Sequence, residues 1–140
     1  MFLKTRIPPE IARKFLNFRK QGQFVLPQLG TTIYLKQSGV VRLSVPNHGV
    51  GEIVESFLQN LSQPVEVGSQ FQGIITRVLP FGAFAMITPT QEGLLHISEF
   101  AGCKPGDEVS DFVKVGDIVP VRIIEIDRMG RINLSGKLDE

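Results

Sequence analysis

Two aromatic side chains flank a glycine near the middle of the chain, in the run Phe81, Gly82, Ala83 and Phe84, and His96 follows soon after. If this segment belonged to a small barrel, two inward rings would crowd it, and an exposed phenylalanine needs a reason. Stacking on a flat π-face such as a nucleobase supplies one, at roughly 1–3 kcal/mol per stacked base. Ordinary core packing is the alternative for each ring.

A second group of side chains surrounds a glycine turn, where Asp127 and Arg128 precede Met129 and Gly130, and Arg131 follows. Guanidinium groups hydrogen-bond phosphate and stack on planar rings. A carboxylate there could accept a hydrogen bond from a base edge or from a ribose 2′-hydroxyl. The alternative is a surface turn with an exposed Asp–Arg pair, worth less than about 1 kcal/mol.

Short strands must position both groups. After Pro64 the sequence predicts five strands separated by glycine-bearing turns, at residues 71–79, 83–88, 93–96, 119–127 and 131–135. Such a series is typical of a small closed all-β barrel, of which one face can stay open to a ligand.

The first half of the chain has a different pattern, which predicts a small α/β domain over residues 1–63. The barrel is predicted over residues 67–138. The α/β domain begins with a strand at 2–7 and a short helix after Pro8 and Pro9. Gly22 and Pro27 then leave any second helix within 17–29 distorted or very brief. A β-branched hairpin at 31–36 and 40–45 precedes a helix at 50–62. The predicted fold class is therefore α+β.

The composition of the 140 residues, 42% hydrophobic and 21% charged, fits one ordinary domain or two small ones. No apolar run approaches the roughly 20 residues that span a bilayer, so no membrane contact is predicted. A lone cysteine, Cys103, cannot form an internal disulfide, and two histidines are too few to close a zinc site. We therefore expect a reducing compartment, no metal and no cofactor.

The net charge of +1 divides unevenly. Residues 1–66 carry eight basic and four acidic side chains, giving +4, and residues 67–140 carry seven and ten, giving −3. The basic excess is concentrated in residues 1–20, where Glu10 is opposed by Lys4, Arg6, Arg13, Lys14, Arg19 and Lys20. Contact with phosphate is one interpretation, and a solvated face is the other. An organellar transit peptide is disfavoured by the two prolines and the absence of serine.

Three strings in register carry a family resemblance: VGSQFQGIITRVLPFGAFAMI, EGLLHISEF and VGDIVPVRIIEIDRMGRINLSGK. Together they resemble the S-one (S1) RNA-binding domain, an OB-fold barrel that binds single-stranded RNA on one face. The resemblance implies RNA contacts by Phe81, Phe84, His96, Asp127 and Arg131, with Phe71 as a neighbour. The acidity of this half is a departure, so we expect a local basic patch to assist, formed by Arg77, Arg122, Arg128 and Arg131.

Upstream, the string GTTIYLKQSGVVRLSV, the helix after it and PVEVG resemble the second half of a KH domain leading into an S1 domain. That order resembles the C-terminal region of the polynucleotide phosphorylase family, phosphate-dependent 3′-to-5′ exoribonucleases. KH domains clamp RNA with a GXXG loop, but residues 17–20 here read Asn, Phe, Arg, Lys. Either Arg19 and Lys20 replace the clamp by charge, with Arg13 and Lys14 as further secondary contacts, or this half serves protein contacts or scaffolding.

No catalytic motif accompanies these features, since neither a nucleophile elbow nor a phosphate-cradling glycine loop is present in the sequence. We therefore predict a non-catalytic region that captures single-stranded RNA for a catalytic core outside these residues. The resemblance further implies a homotrimeric parent enzyme, RNA-decay partner proteins, and a cytoplasmic location or an organelle of bacterial origin. The alternatives are a protein-interaction or assembly module, and an RNA-binding factor associated with translation.

Overall fold

The computed structural model describes residues 1–16 and 21–138, and the chain divides into two compact units. Unit 1 is Met1–Ser62 and unit 2 is Gln63–Glu140. Within the described residues, no helix has both the length and the apolar character needed to cross a membrane.

Unit 1 is a four-stranded antiparallel sheet with two helices. The chain runs through β1 (Phe2–Arg6), α1 (Pro9–Leu16), β2 (Gln21–Leu26), β3 (Thr31–Lys36), β4 (Val40–Ser44) and α2 (His48–Leu58). The strands lie in the order β1-β4-β3-β2. The predicted first strand, first helix, hairpin and last helix are confirmed.

Local chemistry fixes the ends of these elements. The side chain of Asn47 caps α2 by accepting a hydrogen bond from the Val50 N–H at 2.9 Å. Gly39 turns β3 into β4 with a φ of 89°, and a Cβ there would collide with the carbonyl oxygen of Ile7. Only glycine satisfies both conditions without strain.

Within residues 17–29, where any second helix was expected to be distorted or very brief, residues 21–26 form a strand, β2. β2 pairs with β3 from Gln21 opposite Lys36 to Leu26 opposite Thr31, and Gly22 and Leu26 are buried while Gln23 and Val25 are exposed. The period-2 burial and the ladder hydrogen bonds outweigh weak local helix signals. A single 3-10 turn follows at Pro27–Leu29. The segment that would hold the KH clamp, residues 17–20, lies outside the described residues.

Unit 2 is a closed five-stranded barrel, as predicted. Its strands are β5 (Gln70–Leu79), β6 (Gly82–Thr88), β7 (Gln91–His96), β8 (Ile118–Ile126) and β9 (Ile132–Ser135). They close in the order β5-β6-β7-β9-β8, with β7 and β9 parallel and the other pairs antiparallel. The predicted mixed α+β class is confirmed.

Alternation divides the barrel strands into inward and outward side chains, with register shifts in β5, β6 and β8. Ala83, Ala85 and Ile87 of β6 point into a core shared with Leu95 and Leu134. The long β7–β8 connection also contributes to that core through Phe100 and Val109. The outward positions are therefore the ones available to a ligand.

Candidate nucleic-acid interface

One outward side chain from each barrel strand lies in a continuous cross-strand row. Arg77 of β5 pairs with Phe84 of β6, and Phe84 pairs with Leu94 of β7. Leu94 pairs with Asn133 of β9, and Asn133 pairs with Glu125 of β8. We call these five residues the outward row. Directly opposed side chains lie about 5 Å apart, close enough to form one surface.

Phe84 provides an aromatic ring in the outward row, between Arg77 and Leu94. Its neighbours Ala83 and Ala85 take the inward positions on β6, so the Phe84 side chain points outward, where it is half-buried. The guanidinium carbon of Arg77 lies 4.4 Å from the centroid of its ring. That cation–π contact holds the ring against the outside of the barrel.

Phe81 and His96 lie on adjoining backbone at one end of the surface. Pro80 and Phe81 form the two-residue turn between β5 and β6, and the Phe81 ring is 49% exposed. The Phe81 carbonyl accepts a hydrogen bond from the Ile97 N–H at 2.9 Å. Gly82 pairs with His96, and a Cβ on Gly82 would lie 2.5 Å from the Leu95 carbonyl oxygen. Glycine at 82 is thus what allows this close approach.

His96 is exposed, with one ring nitrogen already engaged. Its Nδ1 accepts a hydrogen bond from the Ser98 N–H at 3.1 Å and lies 2.8 Å from the Ser98 hydroxyl. In the neutral ring this places the hydrogen on Nε2. His96 therefore offers one N–H donor, together with the face of its ring.

Asp127 organises the turn between β8 and β9. Its Oδ1 accepts hydrogen bonds from the backbone N–H groups of Met129 and Arg131, both at 2.9 Å, and its Oδ2 accepts from Nε of Arg131 at 2.7 Å. These bonds, that from the Arg131 N–H above all, lower the pKa of the Asp127 carboxyl against an opposing contribution from partial burial.

Arg131 is one of the side chains that this turn presents to solvent, and it lines a groove along the outward row. It is 74% exposed although its Nε is tied to Asp127. Asp127 therefore acts as a positioning residue, and it holds the guanidinium of Arg131 where an anion can reach it.

A groove of about 710 Å³ extends from Phe84 to Arg131 along the outward row. Besides Asp127, its lining includes Asn133 and two further carboxylates, Glu92 and Glu125. Glu125 accepts a hydrogen bond from Nδ2 of Asn133 at 2.7 Å. These three polar residues were not among the predicted contacts. Alternation from the buried Leu134 could have indicated Asn133, whereas Glu125 faces outward because the register of β8 shifts between Ile123 and Glu125, which alternation does not predict.

Phe71 is a correction. It is 3% exposed and belongs to the barrel core, because β5 directs it inward, so its ring does not reach the surface. Arg128 is exposed in the β8–β9 turn, and Arg122 is half-buried on β8 opposite Gln70 and Ser135. Neither lines the groove.

The predicted secondary contacts belong to unit 1. Arg13 and Lys14 are exposed on α1. Arg19 and Lys20 lie outside the described residues. Across residues 1–16 and 21–138, no group of three or more histidine, cysteine, aspartate or glutamate side chains could hold a metal ion.

The barrel of unit 2 matches a known protein family. Residues 65–137, just over half of the chain, match the model of the S1 RNA binding domain, and the chain belongs to that family. S1 domains are non-catalytic RNA-binding domains, so membership supports RNA binding by unit 2.

Curated relatives extend the likeness beyond the barrel model. The chain is 40% identical over 118 residues to a polyribonucleotide nucleotidyltransferase of Chlamydia felis, covering 84% of this chain and 17% of that protein. It is 37% identical over 119 residues to the protein of that name from Bacillus cereus strain AH820, covering 85% and 17%. The chain thus spans about one sixth of the length of these relatives.

A solved structure is similar to part of the chain. The solution structure of GSP13 from Bacillus subtilis has a TM-score of 0.48 and 33% identity, covering 54% of this chain and 58% of that one.

Proposed function

We propose that unit 2 binds single-stranded RNA across the outward row and its groove. The observation that carries this proposal is the Phe84 ring, held at the barrel surface by Arg77 in a groove that extends to Arg131. Phe84 and Phe81 stack on bases, while the arginines contact phosphates. Stacking needs bases that are already unstacked from a helix, so a single strand is preferred over a duplex.

The polar lining of the groove suits bases and ribose better than phosphate. Glu92 and Glu125 carry negative charge and would repel a phosphate placed between them. Carboxylate oxygens can instead accept hydrogen bonds from base amino groups or from the 2′-hydroxyl that distinguishes RNA from DNA. The Asn133 amide adds a donor and an acceptor. Phosphates are thus expected at the groove ends, beside Arg77 and Arg131.

We further propose that the chain serves as the RNA-capturing region of a phosphorolytic 3′-to-5′ exoribonuclease. The named relatives support this, and the 118 residues aligned with the Chlamydia felis protein exceed the 78 residues of unit 2, so the likeness reaches into unit 1. Unit 1 is then a degenerate KH-like domain, with Arg13 and Lys14 as secondary RNA contacts. The parent enzyme is a homotrimer with RNA-decay partners, in the cytoplasm or an organelle of bacterial origin.

Substitution of the two rings tests the proposal. Phe84→Ala and Phe81→Ala should each weaken binding of a single-stranded oligonucleotide by about 1–3 kcal/mol, because each removes a stacking face. Fluorescence anisotropy measures this, with duplex RNA as the comparison ligand. Val115→Ala removes another exposed apolar side chain of unit 2 that does not line the groove, and is the matched control.

Unchanged affinity in both phenylalanine variants would contradict stacking on this face. NMR of the native chain then separates RNA binding from a protein-interaction module. Under our proposal, added RNA shifts amide signals around Phe81, Phe84, His96 and Arg131. An interaction or assembly module predicts no such clustered shifts.

A further inference from the structure

The sheet of unit 1 has an open face that the barrel site does not involve. Strand alternation places four cations on it, together with apolar and aromatic side chains. We call this the basic sheet face, and define it by the exposed residues Phe2, Lys4, Arg6, Gln23, Val25, Tyr34, Lys36 and Arg42.

The opposite face of the same sheet is the core of unit 1. Ile33, Leu35, Val41 and Leu43 alternate with the exposed residues and are at most 2% exposed. α2 packs on that side, since a Cβ on Gly51 would collide with the Leu3 side chain. α1 packs there too, since a Cβ on the buried Gly22 would collide with its Leu16 side chain, so both helices leave the basic sheet face uncovered within unit 1.

This face is positive without compensation from its own strands. β1, β2, β3 and β4 contain no aspartate or glutamate. The acidic residues of unit 1 are Glu10 on α1 and Glu52 and Glu55 on α2. A surface of one sign attracts a polyanion and holds it through several phosphates at once.

The register sets two of the cations against each other. Lys4 of β1 lies directly opposite Arg42 of β4, and like charges in that position destabilise a sheet. Charge on an edge strand such as β1 does protect against edge-to-edge aggregation. That explanation does not extend to Arg42, because β4 lies inside the sheet between β1 and β3. The arrangement therefore favours an external anion over internal stability.

An aromatic ring lies beside these charges. Tyr34 of β3 pairs with Arg42 on one side and with Gln23 of β2 on the other, and it is 39% exposed. Cations interleaved with an exposed aromatic side chain suit a single-stranded nucleic acid, whose phosphates and bases alternate along the chain.

We propose that the basic sheet face is a second binding surface for single-stranded RNA. Lys4, Arg42 and Lys36 bind phosphates, and Tyr34 stacks on a base. The proposal shares only its ligand with the function proposed for the barrel, since no residue is common to the two surfaces.

The test compares two double substitutions that remove equal charge. Lys4→Gln with Arg42→Gln should weaken binding of a single-stranded oligoadenylate about tenfold at low salt, and reduce the slope of log K against log salt by about 1.4, or 0.7 for each phosphate that is no longer neutralised. The oligonucleotide has about 20 nucleotides, more than the roughly 4–16 covered by one OB-fold. Lys104→Gln with Lys114→Gln, exposed in unit 2, is the matched control and should change the slope little.

Two further measurements, the Tm of the double variant and the affinity of a Tyr34 variant, test the proposal independently of the salt slope. Removal of the like-charged pair should leave Tm equal or higher, so weaker binding would not reflect loss of fold. Tyr34→Ala should weaken binding about fivefold. On the native chain, the same RNA should shift the amide signals of Tyr34 and Arg42.

Each result decides between the surfaces. An unchanged slope and affinity in the Lys4 and Arg42 variant, or an equal loss in the control, would overturn the sheet-face proposal. Preferential binding of this face to an acidic protein, with no RNA-induced shifts at Tyr34 and Arg42, would overturn it as well. If Phe84→Ala still weakens binding in those cases, the barrel proposal stands. If only the sheet variants lose affinity, the barrel proposal fails instead.

Discussion

The outward row of the barrel and the basic sheet face have opposite chemistry. In the groove, one aromatic ring and three carboxylates accompany Arg131, whereas four cations on the sheet face have no acidic residue in their strands. The groove is therefore suited to bases and ribose, and the sheet face to phosphate. The net charge of +1 conceals this difference, because it adds a basic half to an acidic one. We expect binding at the groove to depend weakly on salt and binding at the sheet face to depend strongly on it.

Gly82→Ala should distinguish RNA binding at the groove from binding at the sheet face, and it has the largest expected effect on stability. A Cβ at this position would lie 2.5 Å from the Leu95 carbonyl oxygen and 3.1 Å from the His96 Cα, so β6 and β7 must move apart. We expect a loss of roughly 1–3 kcal/mol in the free energy of unfolding, typical of overpacking, measured by urea denaturation.

The RNA binding that remains in this variant should keep a steep salt dependence, because the sheet face is unaltered. Gly49→Ala, where the nearest atom to a new Cβ is 3.4 Å away, is the control and should not destabilise the chain. If the Gly82→Ala variant were as stable as the native chain and bound RNA with normal affinity, the close approach of β6 and β7 at Gly82 would not shape the groove.

Arg131→Gln tests the cationic end of the groove. We expect RNA affinity to fall by about 1 kcal/mol and the salt slope by about 0.7, as when a single phosphate is no longer neutralised. Arg128→Gln, in the same turn but not lining the groove, should cost less. Equal reductions in affinity, measured by anisotropy over a salt series, would indicate that only the general charge of the turn matters.

Asp127→Asn gives the smallest expected effect, on stability against pH. The folded pKa of Asp127 lies below its ordinary value of 3.8, so its carboxylate stabilises the fold fully above that value. This contribution is lost as the pH falls through the lowered pKa. The variant should therefore show a lower Tm at neutral pH and a flatter decline of Tm below pH 3.8.

Asp107→Asn is a matched control for that experiment, because Asp107 also accepts a backbone hydrogen bond, from Lys104 at 2.8 Å, in a turn of unit 2. A Tm profile of Asp127→Asn parallel to that of the native chain would contradict the assigned role of Asp127 in the turn.

Much of the fold was predictable from periodicity. The five barrel strands lie close to the predicted positions because alternation and glycine turns mark each of them locally. β2 was not predictable in this way. Residues such as Gly22 and Val25 do not mark a strand locally, and the segment is a strand because it pairs with β3. Phe71 was misassigned for a similar reason, because proximity to a motif does not reveal which face of β5 a side chain occupies.

The sequence by itself determined the division into a basic half and an acidic half, the barrel class, and the residue types able to stack on bases or bind phosphate. Only the tertiary structure decided which of them share a surface. Cross-strand register aligned Arg77, Phe84, Leu94, Asn133 and Glu125, which are distant in sequence, and it set Lys4 against Arg42. Register is fixed by burial of one face of each sheet, a property of the whole fold that no single segment contains.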